Sequence, residues 1–245
     1  MNSISKFARV CSSLKIGFNN EIGKNVKIYK NVIIGNNNKI YDGVTLYPNT
    51  VIGDNNIILN GNIIGEHPVN ADDDIVNFEK NYDNGVLIGN NNFFHINNVI
   101  FGGADNPTKI GYNNKLLAEN HIGHDTIIQN RVTLYPRCIT GGYSIIMSDS
   151  SMGFYSTIQQ RKKLGNYAMI GAGNNASKDV FPFYIQVSNK YIRFNDKKIP
   201  DSFDIYKYEN EIRILSERYK NKSNDIFNGI NVSKNIYKTI NNFIY

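Results

Sequence analysis

An apolar residue recurs every six positions along most of this 245-residue chain. The repeat occupies 16–64 and 88–100 and then, after a slip of four residues, 110–170, where Thr140 is its polar position. A glycine often follows the apolar residue. This period is neither the 3.6 of a helix nor the alternation of a long strand. It is typical of the hexapeptide repeat of a parallel β-helix.

Each hexapeptide supplies a short strand with one bulky side chain pointing to the axis, followed by a corner that glycine or asparagine takes without steric cost. Three such strands close a coil, and successive coils lie about 4.8 Å apart, the usual spacing of paired strands. Because each coil is stabilised by its neighbours, we expect one solenoid rather than several domains. The sequence predicts an all-β chain, with a parallel β-helix domain over 1–190 and a helical region over 191–245.

The C-terminal region changes its period. Apolar residues separated by four, three and four positions, with charged residues between them, predict an amphipathic helix: Tyr208, Ile212, Leu215 and Tyr219. Ser233, followed by Ile236 and Ile240, predicts the N-cap of a second helix. We expect these helices to cover one end or one side of the β-helix.

Three segments depart from the repeat. Residues 1–14 are expected to form a lead-in that caps the first coil, with the coils running from about 16 to 178. Residues 66–86 form a long interruption containing Pro68 and an acidic run, which predicts a loop over a ligand. Residues 102–107 form a shorter excursion, where the four-residue slip falls.

Composition narrows the partners and the compartment. No apolar run approaches the roughly 18 residues of a membrane span, and no secretory signal is recognisable at the start. Cys11 and Cys138 lack the spacing of metal ligands, which favours free thiols and a cytoplasmic location. The net charge of +6 fits a phosphorylated or acidic partner such as a nucleotide sugar, coenzyme A or an acyl carrier protein, and surplus surface lysine explains it equally well. No nucleic-acid partner is expected.

Two of the four histidines lie in one turn of the repeat, in His121-Ile122-Gly123-His124-Asp125. Counting by coils places His124, Gly142 and Gln160 in one column. An imidazole can take a proton from an attacking group, and a backbone N–H beside a bare glycine can stabilise an oxyanion. Asp125 can bias the tautomer of the base, although strand alternation would turn its side chain to the opposite face.

These residues carry a resemblance to a known family. The stretches that match it, without a gap from 114 to 189, are Asn114-Lys115-Leu116-Leu117, His121 to Asp125, Asn130-Arg131, Gln159-Gln160, Gly165, Ala168-Met169-Ile170-Gly171 and Lys178-Asp179-Val180. They resemble the acyl-carrier-protein-dependent UDP-N-acetylglucosamine O-acyltransferases that begin lipid A synthesis. The resemblance implies a left-handed winding of the β-helix.

The resemblance also implies roles for individual residues. His124 corresponds to the general base, Gly142 to the backbone donor of the oxyanion site, and Gln160 and Asn189 to residues near the substrate. His121 corresponds to a second histidine of the cleft. In that family the cleft lies between subunits of a trimer, so a homotrimer is implied. The implied donor is acyl-CoA or acyl-ACP, the acceptor is a nucleotide sugar, and no metal or bound cofactor is required.

Departures from the family concern the substrate more than the base. Tyr143 stands where the family has another histidine, and we count it among the substrate contacts. Gln159 replaces a histidine, and Val69 and Asn70 stand where the family has a Gln-Asp pair. The paired arginines expected near 203–204 have no counterpart in this sequence. The sequence therefore favours a relative that acylates a hydroxyl or amine of a nucleotide-linked sugar for surface glycan or lipopolysaccharide synthesis.

Two alternatives from other classes stay open. A zinc lyase of the γ-carbonic-anhydrase kind uses the same fold with three histidines, for which His95, His121 and His124 are the candidate set. A β-helix scaffold without catalytic activity is the second alternative.

Overall fold

The structure is a computed structural model that describes residues 1–68, 84–188, 190–223 and 225–245. Within these ranges the chain winds into three sheets whose coil-to-coil pairs are parallel, one sheet on each face of a solenoid. Successive coils pair residues 18 positions apart, as in Ile28 with Leu46 and Ile122 with Thr140. The predicted parallel β-helix is confirmed, and its left-handed winding stays a prediction.

Most strands contain two residues. The first sheet contains Ser3–Ile4, Glu21–Ile22, Lys39–Ile40, Ile57–Ile58, Phe93–Phe94, Lys115–Leu116, Thr133–Leu134, Ser151–Met152, Met169–Ile170, Tyr184–Val187 and Lys190–Phe194. The second contains Arg9–Val10, Lys27–Ile28, Thr45–Leu46, Ile63–Glu66, Val99–Phe101, His121–Ile122, Ile139–Thr140, Thr157–Ile158 and Asn175–Ala176. The third contains Lys15–Ile16, Ile33–Ile34, Val51–Ile52, Val86–Ile88, Thr108–Ile110, Ile127–Ile128, Ile145–Ile146 and Lys163–Leu164.

The repeat residues form the core of the solenoid. From Ile22 to Ile170 every one of them is buried, and each aliphatic side chain removed from water stabilises the fold by about 1.5–3 kcal/mol. Thr140, the polar residue of the column, is buried too, and its hydroxyl oxygen lies 3.2 Å from the Gly123 nitrogen, whose N–H it accepts. The polar position is therefore satisfied inside the core, directly beneath the His124 corner.

The first coil begins earlier than the sequence predicts. Ser3 pairs with Glu21, and Arg9 pairs with Lys27, in the same register as later coils. The expectation that 1–14 is a lead-in cap is wrong, because Ile4 and Val10 continue the six-residue count backwards from Ile16. Both are exposed because no coil of the described chain covers that end.

The solenoid also extends beyond 178, where the sequence predicts its end. Val180 bridges to Leu164, and Tyr184–Val187 runs parallel to Met169–Ile170. Lys190–Phe194 then pairs antiparallel with that strand and closes the sheet. A hairpin therefore lies between the last coil and the helices.

The two predicted helices are confirmed. Short 3-10 turns at Asp201–Phe203 and Ile205–Tyr208 lead into α1 (Glu209–Lys220), and α2 covers Lys234–Ile244. The Ser233 hydroxyl accepts the Ile236 N–H at 3.4 Å, as an N-cap does. Aromatic and aliphatic residues join the helices to the last coil in a second core: Met147, Phe181, Phe183, Tyr184, Phe194, Ile199, Phe203, Ile205, Ile212, Leu215, Ile226, Ile236, Ile240 and Phe243. The helical tail thus covers the C-terminal end of the solenoid.

The excursion at 102–107 accounts for the slip. Ile88 and Ile110 are partners, and across this coil paired positions stand 22 residues apart instead of 18. Of the predicted ligand-covering loop, residues 69–83 lie outside the described residues. Within the described ranges, no helix has the length and apolar character needed to span a membrane.

Candidate active site

The register of the second sheet builds the predicted column. His121 pairs with Ile139, and Ile139 pairs with Thr157, so the corners that follow these strands carry His124, Gly142 and Gln160 one coil apart. The imidazole of His124 lies against the Gly142 backbone, where an added Cβ would be 2.6 Å from Nε2. The structure therefore places the predicted base beside the predicted backbone donor.

Asp125 forms a dyad with His124. The His124 Nδ1 and Asp125 Oδ2 atoms are 2.9 Å apart, and the carboxylate side chain is 2% exposed while the imidazole is 21% exposed. The expectation that Asp125 turns to the opposite face is wrong. Asp125 has a φ of 56° and so lies in a left-handed corner, where strand alternation does not apply.

The excursion at 102–107 folds over this carboxylate. Ala104 N–H donates to Oδ2 at 2.7 Å, and Asp105 and Asn106 donate to Oδ1 at 3.0 and 2.6 Å. Burial alone would raise the pKa of Asp125, but the hydrogen bonds from His124 and the three amides lower it below its ordinary value. Asp125 is therefore an anion at neutral pH.

The charge of Asp125 determines the tautomer of His124. A carboxylate without its proton only accepts hydrogen bonds, so Nδ1 of the imidazole carries the hydrogen. In the neutral ring, Nε2 then has a free lone pair directed away from the dyad. This is the arrangement of a general base with an orienting carboxylate.

Gly142 supplies an N–H with no acceptor within the described residues. At other corners the amide in this position is capped by a polar side chain from the next coil: Phe18 N–H by Asn36 Oδ1 at 3.0 Å, and Tyr112 N–H by Asn130 Oδ1 at 3.0 Å. The residue one coil after Gly142 is Gln160, whose side chain is exposed and caps no amide among the described contacts. Glycine at 142 leaves the space that the imidazole occupies, and its uncapped N–H is suited to an oxyanion.

Tyr143 borders the dyad. Its Oη donates to Asp105 Oδ2 at 2.5 Å, and its ring meets the His124 ring edge to face with centroids 5.0 Å apart. The Arg161 guanidinium lies 4.1 Å from the centroid of the tyrosine ring. The hydrogen bond to Asp105 raises the pKa of Tyr143 to about 12, so the hydroxyl keeps its proton at neutral pH. Its predicted role as a substrate contact stays a prediction.

The other predicted substrate residues are more open. His121 is exposed beside Phe101, with ring centroids 5.0 Å apart, and partial loss of hydration lowers its pKa. Gln160 is exposed, and Asn189 lies outside the described residues. His95 lies against Phe93. In the part of the chain that is described, no three His, Cys, Asp or Glu side chains are grouped as metal ligands would be.

The amide donors on Asp125 are the part of the site that sequence reasoning missed. One signal pointed to them. Pairs across this coil stand 22 residues apart, so Gly102 is the residue one coil before His124 in the same column. The excursion therefore begins at the corner that carries the base. Its folding back onto the carboxylate could not be read from the period.

The six-residue repeat and its parallel solenoid point to a class before any particular relative. The family model described as bacterial transferase hexapeptide (six repeats) matches residues 13–47.

Particular relatives agree with that class. The acyl-[acyl-carrier-protein]--UDP-N-acetylglucosamine O-acyltransferase of Nautilia profundicola is 35% identical over 43% of this chain and 42% of its own length. The chain thus matches less than half of that relative. The structure of the Francisella novicida UDP-N-acetylglucosamine acyltransferase is 28% identical with a TM-score of 0.74, over 89% of this chain and 78% of that one. The Campylobacter jejuni enzyme, at 24% identity, a TM-score of 0.83 and coverage of 98% and 95%, bears on the fold alone. The predicted resemblance to these acyltransferases is confirmed.

Proposed function

We propose that this chain is an acyltransferase that moves an acyl group from a thioester to a hydroxyl or amine of a nucleotide-activated sugar. The observation that carries the proposal is that the His124 ring fills the space where a side chain on Gly142 would stand, so the base lies next to a residue whose N–H is uncapped. The likeness to sugar-nucleotide acyltransferases supports the class of reaction.

The proton path uses His124 twice. Nε2 takes the proton of the sugar O–H or N–H as that atom attacks the thioester carbonyl carbon, forming a tetrahedral intermediate. Asp125 stabilises the imidazolium through Nδ1–H, since its own carboxylate is held as an anion. When the C–S bond breaks, the imidazolium returns its proton to the leaving thiolate. The dyad is then neutral and ready for another cycle.

The oxyanion forms at the carbonyl oxygen during the attack. Gly142 N–H can donate to it because this amide has no acceptor in the described chain. A preorganised donor of this kind contributes roughly 10²- to 10³-fold to kcat. No side chain at position 142 obstructs the approach of the thioester.

Donor, acceptor and assembly belong to the same proposal. The relatives are named as acyltransferases of an acyl carrier protein and UDP-N-acetylglucosamine, so we infer an acyl-ACP or acyl-CoA donor, no bound cofactor, and a product for lipid A or a related surface glycan. Gln160 and His121 are exposed. We infer that a second copy covers them in a homotrimer, with Gln160 and Asn189 near the substrate.

Thioester turnover tests the proposal. Free thiol release would be followed with acetyl-CoA, longer acyl-CoAs and acyl-ACPs against a panel of nucleotide sugars, with His124→Ala as the matched inactive variant. Turnover by the native chain, lost in the variant, is the expected result. An absence of turnover over the whole panel would contradict the proposal and favour a scaffold. Stoichiometric zinc with carbon dioxide hydration would favour the lyase.

A further inference from the structure

The excursion over Asp125 is hydrogen-bonded to Tyr143, which lies one coil after Asp125. Asp105 uses its backbone N–H to bind Asp125 Oδ1 at 3.0 Å and its own carboxylate to accept the Tyr143 hydroxyl at 2.5 Å. One residue therefore connects the carboxylate of the dyad to the tyrosine. Tyr143 N–H also donates to the His124 carbonyl oxygen at 2.9 Å, so the backbone of the tyrosine is fixed to the base.

The tyrosine ring is held from both sides. Its edge-to-face contact with His124 limits rotation of the imidazole, and Arg161 stacks against the ring at 4.1 Å. Tyr143 adopts a φ of 58°, the left-handed conformation that the neighbouring corners of the repeat share. The conformation is therefore a feature of the solenoid, and the side-chain contacts are what distinguish Tyr143.

We propose that Tyr143 is a positioning residue, which clamps the 104–106 turn onto Asp125 and thereby fixes the ring of His124. This inference rests on the proposed function for its kinetic consequences, but the clamp is a property of the folded chain alone. Without the Tyr143 hydroxyl, the Asp105 carboxylate has no other hydrogen-bond donor among the described contacts. The turn that supplies three amides to Asp125 then loses its bond to the coil of Tyr143 and keeps the Asn84 side-chain bond to the Ala104 carbonyl at 2.9 Å.

Among the described residues, four charged or titratable groups contact the imidazole or one another in this unit: Asp125, Asp105, Tyr143 and Arg161. His121 lies on the strand that precedes the corner. Of these, Tyr143 and Asp105 share the bond that connects two coils across the dyad. Removing one oxygen atom at Tyr143 therefore tests the connection without changing any formal charge.

The test compares Tyr143→Phe with Tyr155→Phe. Tyr155 occupies a left-handed corner after a strand of the first sheet, whereas the corner of Tyr143 follows a strand of the second, and its φ is also 58°. Its hydroxyl accepts a hydrogen bond from Arg137 at 2.8 Å. Hydrogen exchange of the 104–106 amides and the low-field Nδ1–H proton signal of His124 would be measured in both. We expect faster amide exchange and a broadened or lost Nδ1–H signal in Tyr143→Phe, with neither change in Tyr155→Phe.

Kinetics give a second measurement. Misplacement of a catalytic group by a fraction of an ångström to one ångström lowers kcat by about 10- to 100-fold, so we expect such a loss in Tyr143→Phe with KM nearly unchanged. Asp105→Ala keeps the backbone N–H of residue 105 and removes the acceptor of the same hydrogen bond. Because both variants break one bond, the Tyr143→Phe/Asp105→Ala double variant should be no slower than the slower single variant.

The outcomes separate the two proposals. Unchanged exchange and an unchanged Nδ1–H signal in Tyr143→Phe would overturn the clamp, and so would equal changes in both tyrosine variants. Changes confined to Tyr143→Phe, in a native chain that turns over no thioester, would support the clamp and contradict the proposed function. Equal melting temperatures of the native chain and Tyr143→Phe would show that the variant folds.

Discussion

The coils before 113 and the coils after it use the same corner in different ways. Three residues after most core positions from Ile16 on, the chain takes a left-handed conformation; the corners after Ile64 and Ile100, where the chain leaves the repeat, do not. In the first region the non-glycine residues there are all asparagine: Asn19, Asn25, Asn31, Asn37, Asn49, Asn55, Asn91, Asn97 and Asn113. From 119 to 167 the corner residues are Glu119, Asp125, Arg131, Arg137, Tyr143, Asp149, Tyr155, Arg161 and Tyr167.

The second set pairs along the axis. Arg131 and Asp149 form a bidentate ion pair with N···O distances of 2.7 and 2.8 Å, and Arg137 bonds to Glu119 and Tyr155. The third corner carries Asp125, Tyr143 and Arg161, which is the candidate site. Asparagine adopts the left-handed region more easily than these residues do. The first region therefore has corners suited to the backbone, and the second has corners suited to side-chain chemistry.

The interiors of the corners differ as well. In the first region a ladder of buried asparagines runs along the axis: Asn20, Asn38, Asn56, Asn92 and Asn114. In this column the second region has Val132, Ser150 and Ala168 instead. The difference predicts that substitutions in the first region change stability, and that substitutions around the site change activity.

The largest effect is expected at the base. His124→Ala should lower kcat by roughly 10²- to 10⁴-fold, the usual contribution of general base catalysis. The melting temperature should hardly change, because the partly exposed imidazole contributes little to the core. Steady-state thioester kinetics and thermal unfolding measure the two.

His95→Ala is the control for that variant, since His95 lies outside the His124 column. We expect it to keep most of the activity. Equal losses in both variants would point to a shared metal or binding role and against a general base.

Adjacent glycines should separate activity from stability within one corner. Gly142→Ala places a methyl group 2.6 Å from Nε2, so the imidazole must move, and we expect a loss of about 10²-fold in kcat. Gly141→Ala instead meets the Gln160 backbone nitrogen at 2.4 Å, and the coil itself must shift. That variant should show the larger fall in melting temperature. The reverse ranking would contradict the placement of the imidazole.

In the first region, Asn38→Ala should destabilise the fold and leave catalysis intact. Asn38 is fully buried; its Oδ1 accepts the Asn56 N–H at 2.8 Å, and its Nδ2 donates to the Gly53 carbonyl at 2.8 Å. Leaving such buried groups unpaired costs about 1–3 kcal/mol each. Denaturant unfolding measures the loss, and a comparable fall in kcat would break the division between the two regions.

Acid should weaken the native chain through Asp125. Its folded pKa is lowered, so the carboxylate stabilises the fold above the unfolded pKa of about 4, and this contribution is lost as pH falls through the lower folded value. Asp125→Asn should therefore melt below the native chain at pH 7, and the gap should narrow below about pH 4. A gap independent of pH would contradict an ionised, hydrogen-bonded carboxylate.

The smallest effect on the free energy of unfolding is expected from exchanging asparagine and tyrosine at the left-handed corners. Asn37 is exposed at a φ of 56°, and Asn37→Tyr should cost about 1 kcal/mol because tyrosine adopts this region less easily. Tyr155→Asn reverses the exchange, with the Arg137 bond lost and the backbone strain relieved, so its net effect should be within about 0.5 kcal/mol. Unfolding free energies of the pair measure how much the corner conformation alone contributes.

The six-residue period determined the solenoid, its core column and the alignment of His124 with Gly142, because a repeat read along the chain becomes a stack at a fixed spacing. Even the first coil could be read, since Ile4 and Val10 fall in the count. The two helices could also be predicted, from the spacing of their apolar residues and from the Ser233 N-cap.

Only the tertiary structure decided what surrounds the base. That Asp125 turns back to His124 depends on a left-handed corner, and that Ala104, Asp105 and Asn106 reach its carboxylate depends on how an irregular segment folds. A period predicts the residues that repeat, whereas these contacts are made by the residues that interrupt it, and their positions follow from hydrogen bonding in three dimensions. Tyr143 occupies a regular corner of the repeat, but its partner Asp105 lies in the interrupting segment, so its role also follows only from the folded chain.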